Sequence, residues 1–164
     1  MKPVTVSVLK QELKTHSQQE LIELCLKLAK FKKENKELLT YLLYDAEDED
    51  GYIREIKEEV DLGFEEINKA NLYYIKKGCR KNLRQIKKYI RYSKKKETEA
   101  ELLLYFCSKI KELQPKQRSS QQMINMYERQ LAMAVKAMST LHEDLQYDFK
   151  LEIIYEDNDL LVIN

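Results

Sequence analysis

The chain of 164 residues contains no tryptophan, three glycines and two prolines. So few turn residues exclude an all-β domain built on tight hairpins. Gly51, Gly63 and Gly78 also stand too far apart to form the glycine-rich loop that cradles a nucleotide phosphate. Histidine is scarce, with His16 and His142 alone, and Cys25, Cys79 and Cys107 are isolated, so neither an HxxxH nor a CxxC ligand spacing exists for zinc. An odd number of cysteines without a close pair predicts a reducing compartment rather than a disulfide framework. No window approaches about 18 uninterrupted apolar residues. The opening MKPVTVSVLKQELK has no continuous apolar core and no small-residue cleavage site. These absences predict a soluble cytoplasmic chain with no membrane segment. A net charge of +1, from 29 basic and 28 acidic residues, excludes a general polycation, and 43% hydrophobic residues exclude a disordered polyelectrolyte.

What the chain has in quantity is helix. Leu, Lys, Glu and Gln abound, and apolar residues recur at steps of three and four almost throughout. A first short helix carries Val6, Leu9 and Leu13 and stops near His16. Ser17 and Glu20 then have the spacing of a capping box, opening a helix over 18–31. Its apolar residues cover more than one stripe, which predicts a central helix with neighbours on two sides. A third helix over 35–44 ends at the acidic run 45–51, read as a loop. Tyr52, Ile56 and Val60 start a fourth helix, which Gly63 threatens to interrupt. A fifth over 79–93 carries Cys79, Leu83, Ile86 and Ile90. Leu103 to Leu113 mark a sixth, stopped by Pro115, and a seventh covers 119–143. The tail 148–164 is ambiguous, with Phe149 and Ile153 fitting helix and 160–163 fitting strand. The expected fold is therefore all-α, with six to seven helices in antiparallel α-hairpins forming an irregular bundle or short superhelix, as one domain without a linker.

The segments LKQELKTHSQQELIELCLKLAKFKKENKELLTYLL, KKGCRKNLRQIKKYIRYS and AELLLYFC together resemble an uncharacterised family of small bacterial all-helical proteins, a domain of unknown function. That resemblance implies a helical fold and transfers no functional residue. The closing IIYEDNDLLVIN is similar to the strand that opens the catalytic domain of a class of RNA pseudouridine synthases, but the chain carries nothing beyond that strand.

Chemistry-bearing constellations are few. His142 with Glu143 and Asp144 has the composition of an acid–base group but also that of a surface cap at a helix end. If Gly51 took the sixth place of a calcium loop, Ala46 and Lys57 would fall where a carboxylate and a bidentate glutamate are needed, so the match fails. Cys79, among Lys76, Lys77, Arg80 and Lys81, would be an acidified thiol if exposed, yet it shares a face with Leu83 and Ile86 and reads as buried. Met123, Met126, Met133 and Met138 lie in one helix arc with Ala134, which fits core packing.

The strongest signal is segregation of charge. Residues 76–96 hold eleven basic side chains and no acid, and Arg80, Arg84, Lys87 and Arg91 form one helical stripe with Lys88 beside it. Residues 45–66 hold eleven acids against Arg54 and Lys57. Side by side the two segments neutralise each other; apart, they make a dipole suited to an acidic partner or to self-association. No catalytic group assembles and no cofactor is implied. The expectation is a non-enzymatic helical scaffold or protein-interaction module, with an unknown protein partner or a second copy meeting 45–66 and 76–96. The alternative is an RNA-associated protein that uses Arg80, Arg84, Lys87, Lys88 and Arg91, with Tyr89 and Tyr92 near for stacking.

Overall fold

In a computed structural model, which describes residues 1–158, the chain divides into two compact units, Met1–Tyr44 and Asp45–Asn164. Among the described residues there are nine α-helices and no strand, so the fold is all-α. The expected strand at 160–163 lies outside the described residues. Residues 153–158, extended if the synthase likeness held, end the last helix.

The first unit contains α1 (Val6–Leu13), α2 (Gln18–Phe31) and α3 (Lys33–Thr40). The capping box is present at the start of α2. Ser17 Oγ accepts from the Glu20 N–H at 3.3 Å, and the Glu20 carboxylate accepts from the Ser17 N–H at 2.7 Å. These bonds favour the charged form and hold the Glu20 carboxyl below its ordinary pKa. α2 packs along α3, and Asn35 Nδ2 donates to Leu28 O at 2.8 Å across the bend between them. The expectation that α2 is central is corrected here. No residue of α1, α2 or α3 is buried, and Leu24 and Leu28 are 38% and 61% exposed. An apolar stripe reports a surface that needs covering, and within this unit only one side of α2 has a neighbour.

A π turn, Tyr41–Asp45, leads into the second unit. Its helices are α4 (Glu49–Glu65), α5 (Leu72–Ser93), α6 (Lys96–Lys111), the single turn α7 (Pro115–Arg118), α8 (Gln121–Met138) and α9 (Glu143–Asn158). α6 is the axis. Leu102, Leu103 and Leu104 are buried consecutively, so the covered arc of α6 spans at least about 200°. α4, α5, α8 and α9 all pack on it. Phe64 of α4 meets Phe106 of α6 edge to face, with ring centres 5.8 Å apart.

The acidic run is a loop only in part: residues 46–48 are non-helical, and Glu49, Asp50 and Gly51 already belong to α4. Asp48 is the N-cap of α4, its carboxylate accepting from the Gly51 N–H at 3.0 Å, and Glu49 and Asp50 sit in the first turn where the helix dipole favours acids. Nor does glycine interrupt α4 or α5. A Cβ on Gly63 would lie 1.9 Å from Asn82 Oδ1, and one on Gly78 would lie 2.6 Å from Ile67 Cγ1. Gly63 is a point where the antiparallel helices α4 and α5 approach closely, and Gly78 one where the connection after α4 crosses α5 at Ile67. α5 therefore begins at Leu72, and Cys79 is inside it rather than at its start. α5 ends at Lys94, which adopts the left-handed conformation (φ 58°) while its N–H donates to Ile90 O at 2.9 Å. Pro115 does stop α6, and it also opens α7 at its first position. The expected long seventh helix ends at Met138, and His142 precedes α9 instead of closing α8.

Candidate interaction surface

α5 turns its core side, Ile75, Cys79, Asn82 and Ile86, toward the bundle. At 3.6 residues per turn the basic side chains then occupy an outward arc of about 140°. Arg80, Arg84 and Arg91 are exposed, while Lys87 and Lys88 are half-buried on its two flanks. The five expected residues thus share one helix, with Lys88 displaced toward the side opposite Lys87.

On the Lys87 flank lies α8. Arg80 Nη2 is 3.5 Å from Gln122 Oε1, and Lys87 Nζ is 3.7 Å from Met133 Sδ. Two such contacts in the same order show that α5 and α8 run parallel here. Burial together with the neighbouring Arg129 guanidinium lowers the Lys87 pKa, against an opposing pull from Glu99. Arg129 is the residue that sequence reasoning missed. It extends the cationic arc onto a second helix, and nothing in the local pattern of α8 places it beside Lys87.

On the other flank lies α4, so the acidic and basic segments do sit side by side. They meet at an edge. Lys95 Nζ pairs with Glu49 Oε2 at 2.7 Å, the Ser93 hydroxyl also bonds Glu49, and Tyr89 OH donates to Glu59 Oε2 at 2.7 Å. Lys88 Nζ stands 4.7 Å from the centre of the Tyr89 ring. Other α4 charges turn toward α6. Asp61 accepts from Tyr105 OH at 2.6 Å and pairs with Lys109 at 3.2 Å, and Lys57 pairs with Glu101 at 2.7 Å. Burial and the bond to Asp61 push the Tyr105 pKa up to about 12. Among the described residues, no carboxylate lies within ion-pair distance of Arg80, Arg84 or Arg91. The acids border the basic arc without covering it.

Between the two helices runs a groove of about 540 Å³. Glu59 and Glu66 form one wall, Lys77, Lys81 and Arg84 the other, and Leu62 and Ile67 contribute apolar lining. Such a groove presents an acidic rail and a basic rail in parallel.

The remaining candidates resolve differently. Cys79 is fully buried, and burial raises its thiol to about pKa 11, which suits packing and not nucleophilic attack. Met123 and Met138 are buried, while Met126 and Met133 are half-buried, so the core reading of the methionine arc holds at two of its four positions. His142 is an exposed start to α9, where its Nδ1 lies 3.4 Å from both the Asp144 N–H and the Asp144 carboxylate. Among the described residues, no group of three or more His, Cys, Asp or Glu side chains gathers in a way that could hold a metal ion, and no helix is long and apolar enough to cross a membrane. Comparison with known proteins finds no family model, curated protein or solved structure that matches the chain.

Proposed function

We propose that the chain is a non-enzymatic helical interaction module that receives a protein partner along the α4/α5 face. The observation that carries this reading is the pair of parallel rails. A polyanion lying on the basic arc would also run beside Glu59 and Glu66, whereas a protein helix with its own acidic and basic edges satisfies both walls and the apolar floor. The resemblance to an uncharacterised family of small bacterial helical proteins is compatible with the outcome of the comparisons. A cytoplasmic setting is supported by three free thiols, two of them buried.

RNA is the second reading, favoured by one observation: Arg129 widens the cationic arc on the flank away from α4, where Arg80 and Arg91 face no carboxylate among the described residues. Capture from a cell extract by the native chain and by a Lys81→Glu, Arg84→Glu variant separates the readings. A protein retained by the native chain after nuclease treatment and lost by the variant is the expected result. Retention that disappears with nuclease and falls steeply with salt moves the partner to RNA. Equal retention by both chains removes the α4/α5 face from consideration.

A further inference from the structure

α5 and α8 both rest on α6 without packing closely on each other, so their facing side chains border a furrow. Arg80 meets Gln122 across it, and seven residues further along each helix stand Lys87 and Arg129. Parallel helices rise equally, so Lys87 and Arg129 are level, about 10 Å beyond the first pair. Met133, one turn past Arg129, receives the Lys87 ammonium at 3.7 Å. On a helical wheel Arg80, Lys87 and Arg91 fall within about 40°, and Gln122, Met126, Arg129, Met133 and Lys136 within about 80°. Five cations therefore border the furrow, and no acid stands in either stripe.

Lys87 is half-buried, and its one hydrogen bond among the described residues goes to a thioether, a weak acceptor. Arg129 makes no hydrogen bond or ion pair among them. Glu99 of α6 pulls on Lys87 from beyond ion-pair distance, and its carboxylate is already bonded to Lys96 at 2.6 Å. Two cations thus stand side by side with no oxygen to share. An anion placed between them turns their repulsion into a pair of charge-assisted hydrogen bonds.

We propose that the α5/α8 furrow binds condensed inorganic phosphate, with one phosphate between Lys87 and Arg129 and its neighbours in the phosphate chain reaching Arg80 on one side and Arg91 with Lys136 on the other. The guanidinium fork and the ammonium point charge are the two side-chain groups that suit phosphate oxygens. Charge without an organic body is what the furrow can receive. Tyr89 and Tyr92, the rings expected to stack bases, lie on the α4 side of α5. Tyr89 packs edge to face on Tyr52 and bonds Glu59, and Tyr92 is buried beside it with ring centres 6.1 Å apart. No aromatic residue belongs to either stripe, so a nucleobase has no platform here. The furrow occupies the flank of α5 away from the α4/α5 groove, and the proposal stands whether or not a protein partner docks there.

Isothermal titration of the full chain with inorganic tripolyphosphate at physiological salt tests the proposal. The expected result is saturable binding about 10-fold or more tighter than that of inorganic phosphate, because the longer anion reaches beyond the central pair. Lys87→Gln with Arg129→Gln should weaken it by more than about 30-fold. Lys77→Gln with Lys81→Gln removes the same charge from the α4 side and should weaken it by less than about 3-fold, since exposed charges more than about 8 Å away are screened at this salt. Without ligand, the Lys87 and Arg129 double variant should melt no lower than the native chain, because a repulsion has been removed. Absence of tripolyphosphate binding overturns the proposal, as do equal losses in the two double variants. A double variant that melts lower without ligand would show that the two cations serve the fold, and that too overturns it. Inorganic phosphate binding as tightly as tripolyphosphate would reduce the site to a single anion and overturn the condensed chain. An oligouridylate of matched charge binding as tightly as tripolyphosphate would give the furrow to nucleic acid and overturn it equally.

Discussion

α2 and α6 are written in much the same alphabet and live in opposite surroundings. They are 14 and 16 residues long, with four leucines and a cysteine in α2 and three leucines and a cysteine in α6. α6 buries eight residues and α2 none. The difference teaches that an apolar arc wider than one stripe states a demand for neighbours and leaves open where they come from. For α6 they are α4, α5, α8 and α9 of the same unit. For α2 one is α3, and Leu24, Leu28 and Phe31 stay exposed beside it.

The largest effect that could break this contrast is truncation of a large side chain in each unit. Phe106→Ala, at a fully buried ring packed on Phe64, should cost about 3–5 kcal/mol in urea unfolding. Leu28→Ala, at a side chain 61% exposed, should fall within about 0.5 kcal/mol of the native chain. Similar losses at both sites would erase the distinction between the units. A smaller change sharpens it by testing how tightly the second unit is packed. Gly63→Ala should cost about 1–3 kcal/mol through collision with Asn82, and Gly63→Ala combined with Asn82→Ala should recover part of that loss. No penalty from Gly63→Ala would mean that α4 and α5 are free to separate.

The smallest effect is alkaline. Tyr105 is raised from its ordinary 10 to about 12 in the folded chain, so its neutral form is favoured by folding. That contribution is complete below about pH 10 and is lost as pH rises through about 12. Melting temperatures followed across this window should fall less steeply for Tyr105→Phe than for the native chain. Parallel curves would show that the bond to Asp61 does not couple to stability.

Much of this was legible in the residues and some was not, for identifiable reasons. Ser17 and Glu20 marked the start of α2 because a capping box is local chemistry, and Pro115 marked the end of α6 because its ring forbids continuation. Gly63 and Gly78 misled about α4 and α5. Their helix cost is visible in sequence, whereas the close approach of Ile67 and Asn82 that requires them is tertiary. The boundary between the units was hidden because helical periodicity continues through Leu42 and Leu43 into the π turn. On the charged face, the arc of Arg80, Arg84, Lys87 and Arg91 followed from spacing alone. Arg129 did not, since it lies 38 residues beyond Arg91 and only the packing of α8 brings it to Lys87.

The three thiols turn this two-part construction into something a chemist can time. Cys25 is open to solvent in the groove between α2 and α3, while Cys79 and Cys107 are sealed in the second unit. A maleimide dye therefore attaches at one site in the native chain, without mutagenesis, and reports directly from the groove between α2 and α3. The two sealed thiols react only when their helices part, so the slow phase of labelling is a clock for spontaneous opening of the bundle. One reagent, added once, reads the crowding of the first unit from its fast phase and the breathing of the second from its slow one.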